Sequence, residues 1–320
     1  MAEFITISNI ESGTRLLRWF LRHFPGMLQR DFYKLCRGGQ IRINSSRCKG
    51  TEILSAGDIV RIPPTLSSYK KVVKNESGEK FSLADLEKLR NCIIHDDSDI
   101  VVFNKPAGLA VQGGTGIKKS VDKMAAALFP YDKISLVHRI DKETSGLLVV
   151  AKNQRAAQDL SAQFQNKTAH KEYLALLQGS ISEKSGTIDN YVAKGRVFEN
   201  SDEVPKGVVA QRAVTEYRVL GEASGLLTWV LFSPKTGRTH QLRLHSAFTL
   251  HAPIVGDDLY GTRRGTLDGV LDSFLSTQKL FLVAYRITFR HPGTGKMITM
   301  RADIPDFMQG IIKFLEFQLP

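Results

Sequence analysis

His138-Arg139-Ile140-Asp141-Lys142-Glu143-Thr144-Ser145-Gly146-Leu147-Leu148-Val149-Val150 sets a carboxylate, flanked by basic and hydroxyl residues, directly ahead of an apolar run. The run Leu147 to Ala151 is short, partly β-branched and preceded by Gly146, so it reads as a buried strand. Asp141 then stands on the loop that enters the core. Polar side chains gathered at the mouth of a buried strand are where sites are commonly built.

The 320 residues around it suggest two domains, one large and one small. A 42% apolar and 24% charged content describes a globular protein with a sizeable core. Lys and Arg outnumber Asp and Glu by 44 to 32, a net charge of +12. That excess points to a polyanionic partner, nucleic acid before an acidic membrane surface, or else to a simple solubility charge. Cys36, Cys48 and Cys92 are odd in number and widely spaced, which argues against a disulfide framework and against a zinc site and favours a reducing cytoplasm. The N-terminus lacks the pattern of a signal peptide, and no apolar run has the length of a membrane span.

Thr14 to Phe24 carries Leu16, Trp19, Phe20 and His23 at helical spacing, with Arg15, Arg18 and Arg22 on another stripe. Ser12 or Thr14 can cap this helix and Pro25-Gly26 stops it. A second helix runs from about Gln29 to Cys36 and ends at Gly38-Gly39. Gln40 to Asn44 alternates as a strand, and Gly57 to Ile62 reads as a turn into another. Over residues 1–62, ten basic residues face five acidic ones, so the positive charge is concentrated here. The order helix, Pro, helix, Gly-Gly, basic strand, terminal Gly-Asp strand resembles the S4 RNA-binding domain over roughly residues 14–62. The resemblance implies that basic side chains of the second helix, Arg30, Lys34 and Arg37, meet RNA phosphates; otherwise they are solvated surface charges. The expected organisation is an S4-like domain over 1–65, a linker over 66–91 and a larger domain over 92–320. Tyr69 to Lys80 reads as a tether, with a short helix near Ser82 to Leu89 capped by Ser82.

Beyond Cys92 the chain alternates strands with few helices. Strands are expected at Ile93–His95, Ile100–Phe103, Lys171–Leu177, Val214–Leu220 and Leu226–Phe232. Arg286–Phe289 and Met297–Met300 form a hairpin about His291–Gly295. Ala156–Phe164 is helical, and a final helix over Asp306–Phe317 packs Phe307, Ile311, Phe314 and Leu315. The expected class is α+β, with a mixed, mainly antiparallel sheet.

Thr236-Gly237-Arg238-Thr239-His240-Gln241-Leu242-Arg243-Leu244-His245 is the second dense polar motif. As a strand it sets Thr239, Gln241, Arg243 and His245 on one face. A buried Arg243 needs a carboxylate partner, and Asp141 is the expected one. That pairing would lower the Asp141 pKa and fit it to act as nucleophile or base, or it would be a structural ion pair.

Five motifs in order resemble the RluA-type pseudouridine synthases over roughly residues 92–310. They are Asn104-Lys105-Pro106-Ala107-Gly108, the opening segment, Lys171-Glu172-Tyr173, Gly237 to His245, and Pro253-Ile254-Val255-Gly256-Asp257-Asp258-Leu259-Tyr260-Gly261. An S4-like domain in front, and the closing His291-Pro292-Gly293-Thr294-Gly295, are similar to the RluC-type members that act on large-subunit ribosomal RNA. Ile140 stands where Leu is usual. The resemblance implies an isomerase that breaks the ribose C1′–uracil N1 bond and rejoins C1′ to uracil C5, with no metal, no nucleotide cofactor and no membrane, working as a cytoplasmic monomer. It implies that Asp141 attacks covalently or removes a ribose proton. It further implies that Tyr173 stacks on the uracil beside its C5 proton, that Arg243 pairs with Asp141, and that Arg139 helps push the target base out of its helix. His138, Lys105 and Gln241 are implied as further RNA contacts, or as packing. The same chemistry on transfer RNA, or an RNA-binding ribosome-assembly factor that has lost activity, remain alternatives. A glycosidase-type reading needs a second carboxylate near Asp141, for which Asp257 and Asp258 are available.

Overall fold

The computed structural model describes residues 2–8, 11–24, 27–66, 73–74, 80–130, 132–261 and 279–320. The chain forms two compact units. One comprises Met1–Phe103, Ala110–Arg139 and Val149–Ser161, the other Asn104–Leu109, Ile140–Leu148 and Ala162–Pro320. Among the described residues no helix is long and apolar enough to cross a membrane.

The first unit begins with β1 (Glu3–Thr6), α1 (Leu16–His23), α2 (Gln29–Arg37), β2 (Arg42–Ile43), β3 (Ser46–Arg47) and β4 (Ile59–Ile62). The strands form an antiparallel sheet in the order β1-β4-β2-β3. The helical spacing read from the sequence does place Leu16, Trp19 and Phe20 inward, where they join Phe24, Phe32 and Cys36 in a core. The Gly38-Gly39 stop is also present, Gly39 taking a left-handed φ of 64°. Two details differ. α1 starts at Arg15 with no side-chain cap from Ser12 or Thr14, and only Arg42 and Ile43 of the expected Gln40–Asn44 strand pair as strand. Pro25-Gly26 lies outside the described residues.

Most of the Tyr69–Lys80 stretch also lies outside the described residues. Its described part pairs β5 (Val73–Lys74) with β6 (Lys80–Phe81), so the segment is not wholly a tether. α3 (Leu83–Arg90) is capped by Ser82, whose hydroxyl accepts from the Asp85 amide at 3.1 Å. β7 (Ile93–Asp96) pairs with β8 (Ile100–Lys105). α4 (Val121–Leu128), β9 (Ser135–Leu136), the end of β10 (Ser145–Ala151) and the start of α5 (Gln154–Gln165) complete the unit.

The second unit contains the start of β10 together with β11 (His170–Gln178), β12 (Ser185–Ala193), β13 (Arg196–Phe198), β14 (Gln211–Ala223), β15 (Leu227–Pro234), α6 (Gln241–Leu244), β16 (Leu282–Arg290), β17 (Met297–Arg301) and α7 (Asp306–Phe314). The order is β13-β12-β14-β15-β11-β16-β10, with β17 added on β16. Among the described residues of this unit, β10 and β16 run parallel and the other pairs antiparallel, so the sheet is mixed and mainly antiparallel. Every residue of β10 is buried, in keeping with its continuous apolar run.

Two expectations fail in this unit. The Thr236–His245 motif is not a strand. It enters α6 and a following π-helical turn over His245–Thr249. The Gln241 side chain explains this, because its Oε1 accepts from the Arg238 amide at 3.0 Å and from the Thr236 hydroxyl at 2.7 Å. These bonds close a turn over Thr236–Gln241 directly ahead of α6, which an extended strand could not make. Phe314 of α7 is 55% exposed rather than packed, because the buried stripe is Met308, Ile311 and Ile312.

Close approach of β10 to β16 depends on Gly146. Its φ is +102°, and a Cβ there would fall 2.3 Å from the Ala284 carbonyl oxygen. Gly146→Ala is therefore expected to destabilise the protein by about 3 kcal/mol or more, through a clash with backbone and an unfavourable φ. Urea unfolding checks this, and an unchanged midpoint contradicts it.

Candidate active site

Asp141 lies on the loop that leads into β10 and is half-buried. Three bonds fasten that loop within the second unit. The Asp141 carbonyl accepts from the Thr144 amide at 3.2 Å, and the Lys142 carbonyl accepts from the Gly108 amide at 2.9 Å. The Lys105 ammonium donates to the same Lys142 carbonyl, and to those of Pro106 and Leu109, each at 2.9 Å. Lys105 is fully buried. It fixes the Asp141 loop, so of the two readings of Lys105, RNA contact or packing, its burial favours packing.

Arg243 is 3% exposed on α6. Its Nε and one terminal nitrogen donate to the two oxygens of Asp257 at 2.8 and 2.6 Å, and the latter nitrogen also reaches Asp258 at 3.4 Å. Asp141 is therefore not its hydrogen-bonded partner, contrary to expectation. The field of Asp141 still reaches Arg243. Burial opposes the guanidinium charge, but the bonds and charge of Asp257, with Asp141 and Asp258 adding, hold the pKa above its ordinary value. Among the described residues, the Asp141 carboxylate accepts no hydrogen bond from the protein, so its oxygens stay open to a substrate.

Tyr173 projects from β11 and is 9% exposed. Burial first, and then the field of Asp141, push its phenol above the ordinary value. Tyr260 completes the group. The Arg243 guanidinium lies 5.2 Å from the centre of its ring, and its hydroxyl shares a 2.8 Å hydrogen bond with His240 Nδ1. Burial raises its phenol, Arg243 opposes, and Asp257 and Asp141 add to the rise. His240 holds a left-handed φ of 54° at the entrance to α6, a strained conformation for a residue with a Cβ. Asp141, Asp257 and Asp258, two aromatic rings and a fixed guanidinium thus share one electrostatic neighbourhood.

The other expected residues divide by exposure. Gln241 spends its side chain on Thr236, Arg238, Val214 and Thr215, which corrects its reading as an RNA contact. His138 Nε2 accepts from the Val149 amide at 2.9 Å, so it braces β10 through a neutral ring. Arg139 is exposed, two residues ahead of Asp141. Arg30, Lys34 and Arg37 are exposed at i, i+4 and i+7 on α2, one stripe of one helix. The roles of Asp257 as the partner of Arg243, and of His240 and Tyr260, went unread. Asp257 had a local signal: its carboxylate accepts from the amides of Leu259 and Tyr260, both at 3.0 Å, as an Asp at the head of a turn does.

The family model for RNA pseudouridylate synthase matches residues 99–248. The chain is 34% identical over 303 residues to ribosomal large subunit pseudouridine synthase C of Vibrio cholerae, covering 94% of this chain and 93% of that protein. It is 35% identical over 313 residues to the protein of the same name from Haemophilus influenzae, covering 97% and 94%. Among solved structures it is similar to human RNA pseudouridylate synthase domain containing 4, with a TM-score of 0.62 and 25% identity over 74% of this chain and 97% of that one.

Asp257→Asn removes the buried counter-charge of Arg243. It is expected to cost about 3–5 kcal/mol, because an unpaired buried guanidinium is left behind. A denaturation midpoint within error of the parent protein contradicts this.

Proposed function

The chain belongs to the RNA pseudouridylate synthase family, and from that premise we propose that it isomerises uridines of large-subunit ribosomal RNA, acting as a cytoplasmic monomer without metal or nucleotide cofactor. The names of the relatives that span nearly its whole length support the ribosomal substrate. The single observation that carries the catalytic part is the Asp141 carboxylate, free of protein hydrogen bonds yet in the field of Arg243 and next to Tyr173.

In this reading Asp141 meets the ribose or the uracil. The C1′–N1 bond breaks, the base turns, and C1′ rejoins at C5, with the C5 proton lost and N1 protonated. Tyr173 serves as the surface against which the uracil stacks. Its phenol, pushed up by burial and by Asp141, stays protonated at neutral pH and so cannot take the C5 proton as a phenolate. Arg243, locked by Asp257, supplies fixed positive potential beside Asp141. Arg139, exposed on the same loop, enters the RNA as the uridine leaves its stack, a step that costs a few kcal/mol.

Residues 1–65 serve as an S4-like RNA-binding module, residues 66–91 as its connection, and residues 92–320 as the catalytic domain. The exposed stripe of Arg30, Lys34 and Arg37 binds phosphates, and so positions the RNA without reading its sequence.

Asp141→Asn is expected to abolish pseudouridine formation on unmodified ribosomal RNA while RNA affinity changes little, and turnover near the parent rate would overturn the assignment. Replacing Arg30, Lys34 and Arg37 together by Gln is expected to flatten the dependence of log affinity on log salt by about two to three. An unchanged salt slope, measured by filter binding, removes α2 from the RNA interface.

A further inference from the structure

Lys171 stands two residues before Tyr173 on β11. Side chains two apart on a strand share a face and lie roughly 7 Å apart. The register shift in the β11–β16 pairing falls at Tyr285, which is passed over between Arg286 and Ala284, so the alternation along β11 is unbroken. Lys171 therefore shares the face of β11 from which Tyr173 meets Asp141. Its ammonium rests against Gly237, where a Cβ would stand 3.7 Å from Nζ. Gly237 begins the turn that leads through His240 into α6 and Arg243.

Among the described residues this ammonium makes no hydrogen bond and no ion pair. Three acids of this unit, Glu172, Glu216 and Asp257, are committed elsewhere. Glu172, on the opposite face, pairs with Arg286 across the β11–β16 ladder. Glu216, on β14, pairs with Lys235 at 2.7 Å. Asp257 is taken by Arg243. Burial alone pulls the Lys171 pKa below its ordinary value, with no counter-charge opposing it. A partly desolvated cation without a partner is a cost to the folded protein unless an anion arrives to meet it. An RNA substrate carries such an anion on each side of every nucleotide.

We propose that Lys171, resting on Gly237, is the phosphate-binding residue of the active site and holds the backbone phosphate flanking the uridine that stacks on Tyr173. The inference rests on the RNA-isomerase reading and adds a residue-level subsite to it. Lys171 is a positioning residue here, since it fixes the nucleotide through its phosphate and touches neither bond that is exchanged. Glycine at 237 keeps the space above the ammonium open, so that a phosphate oxygen can approach it.

The test uses the full-length protein, an unmodified large-subunit ribosomal RNA transcript, and the variants Lys171→Met and Lys171→Arg. Conversion of the transcript by the parent enzyme tests the functional reading by itself. Filter binding of the same transcript tests the inference whether or not turnover is seen. For Lys171→Met the slope of log affinity against log salt is expected to fall by about one, and KM to rise about tenfold, with kcat held within about twofold. Lys171→Arg is expected to restore both slope and KM. A slope unchanged in Lys171→Met overturns the proposal, whatever happens to kcat or to the melting temperature. A loss confined to kcat overturns it as well. Should Lys171→Met fail to fold, the parent enzyme is given RNA fragments with a neutral methylphosphonate on either side of the converted uridine. One of the two is expected to reproduce the rise in KM, and no effect from either overturns the proposal.

Discussion

The bidentate pair between Arg243 and Asp257 is the constraint around which the second unit's site is arranged. Both side chains are essentially out of water. A buried pair of this kind contributes little net stability, because desolvation offsets the attraction, but losing either partner is costly. What it supplies is position. Asp257 also caps the amides of Leu259 and Tyr260, so one carboxylate sets the turn that carries the aromatic ring lying against Arg243. Tyr260 in turn is tied to His240, the residue whose left-handed backbone admits α6. Moving any one of these displaces the others. Because Asp257 satisfies the guanidinium, Asp141 is spared that duty and feels Arg243 only as a field.

The loop of Asp141 is fixed by a different device. The Lys105 ammonium donates to three backbone carbonyls, one of them next to Asp141 in sequence. An ammonium has three donors, and these carbonyls offset its desolvation. A carboxylate in that position would have added negative charge close to Asp141 and Tyr173. Carbonyl oxygens leave Asp141 as the one carboxylate on its own loop segment that faces Tyr173 electrostatically.

What could be read from sequence alone follows from how local each signal is. The apolar run of β10, the apolar stretch of β11, buried from Tyr173 to Leu177, and the hairpin of β16 and β17 are decided by side chains within a few residues, and their positions are legible. Alternating polar residues at Thr236–His245 imitate a strand, whereas a hydrogen bond donated by the Arg238 amide to the Gln241 side chain closes a turn ahead of α6. β12 passed unread for a related reason. Its inward positions are Ile188, Asn190 and Val192, and Asn190 is polar because it meets the buried His245 at 3.0 Å. The pattern breaks where the core itself is polar. The partner of Arg243 was a choice between acids more than a hundred residues upstream and fourteen residues downstream. Pairing rules demand an acid but carry no distance. The turn signature of Asp257 was the local clue that distinguished them.

The basic residues of the site are best understood by what already satisfies them. Arg243 has a carboxylate, Lys105 has carbonyls, and both are immobile parts of the protein. Lys171, in the same unit, is half-buried with neither. In the proposed reading, Asp141, Tyr173 and Arg243 meet only features that every uridine shares: a ribose, a flat ring and the charge that develops as the bond is exchanged. On the same proposal, choice comes from groups that meet the RNA outside the target nucleotide, for which exposed cations are suited because they sense the spacing of phosphates and the shape that sets it. On that proposal, selection of a uridine rests on RNA shape matched to exposed charge rather than on the groups around Asp141.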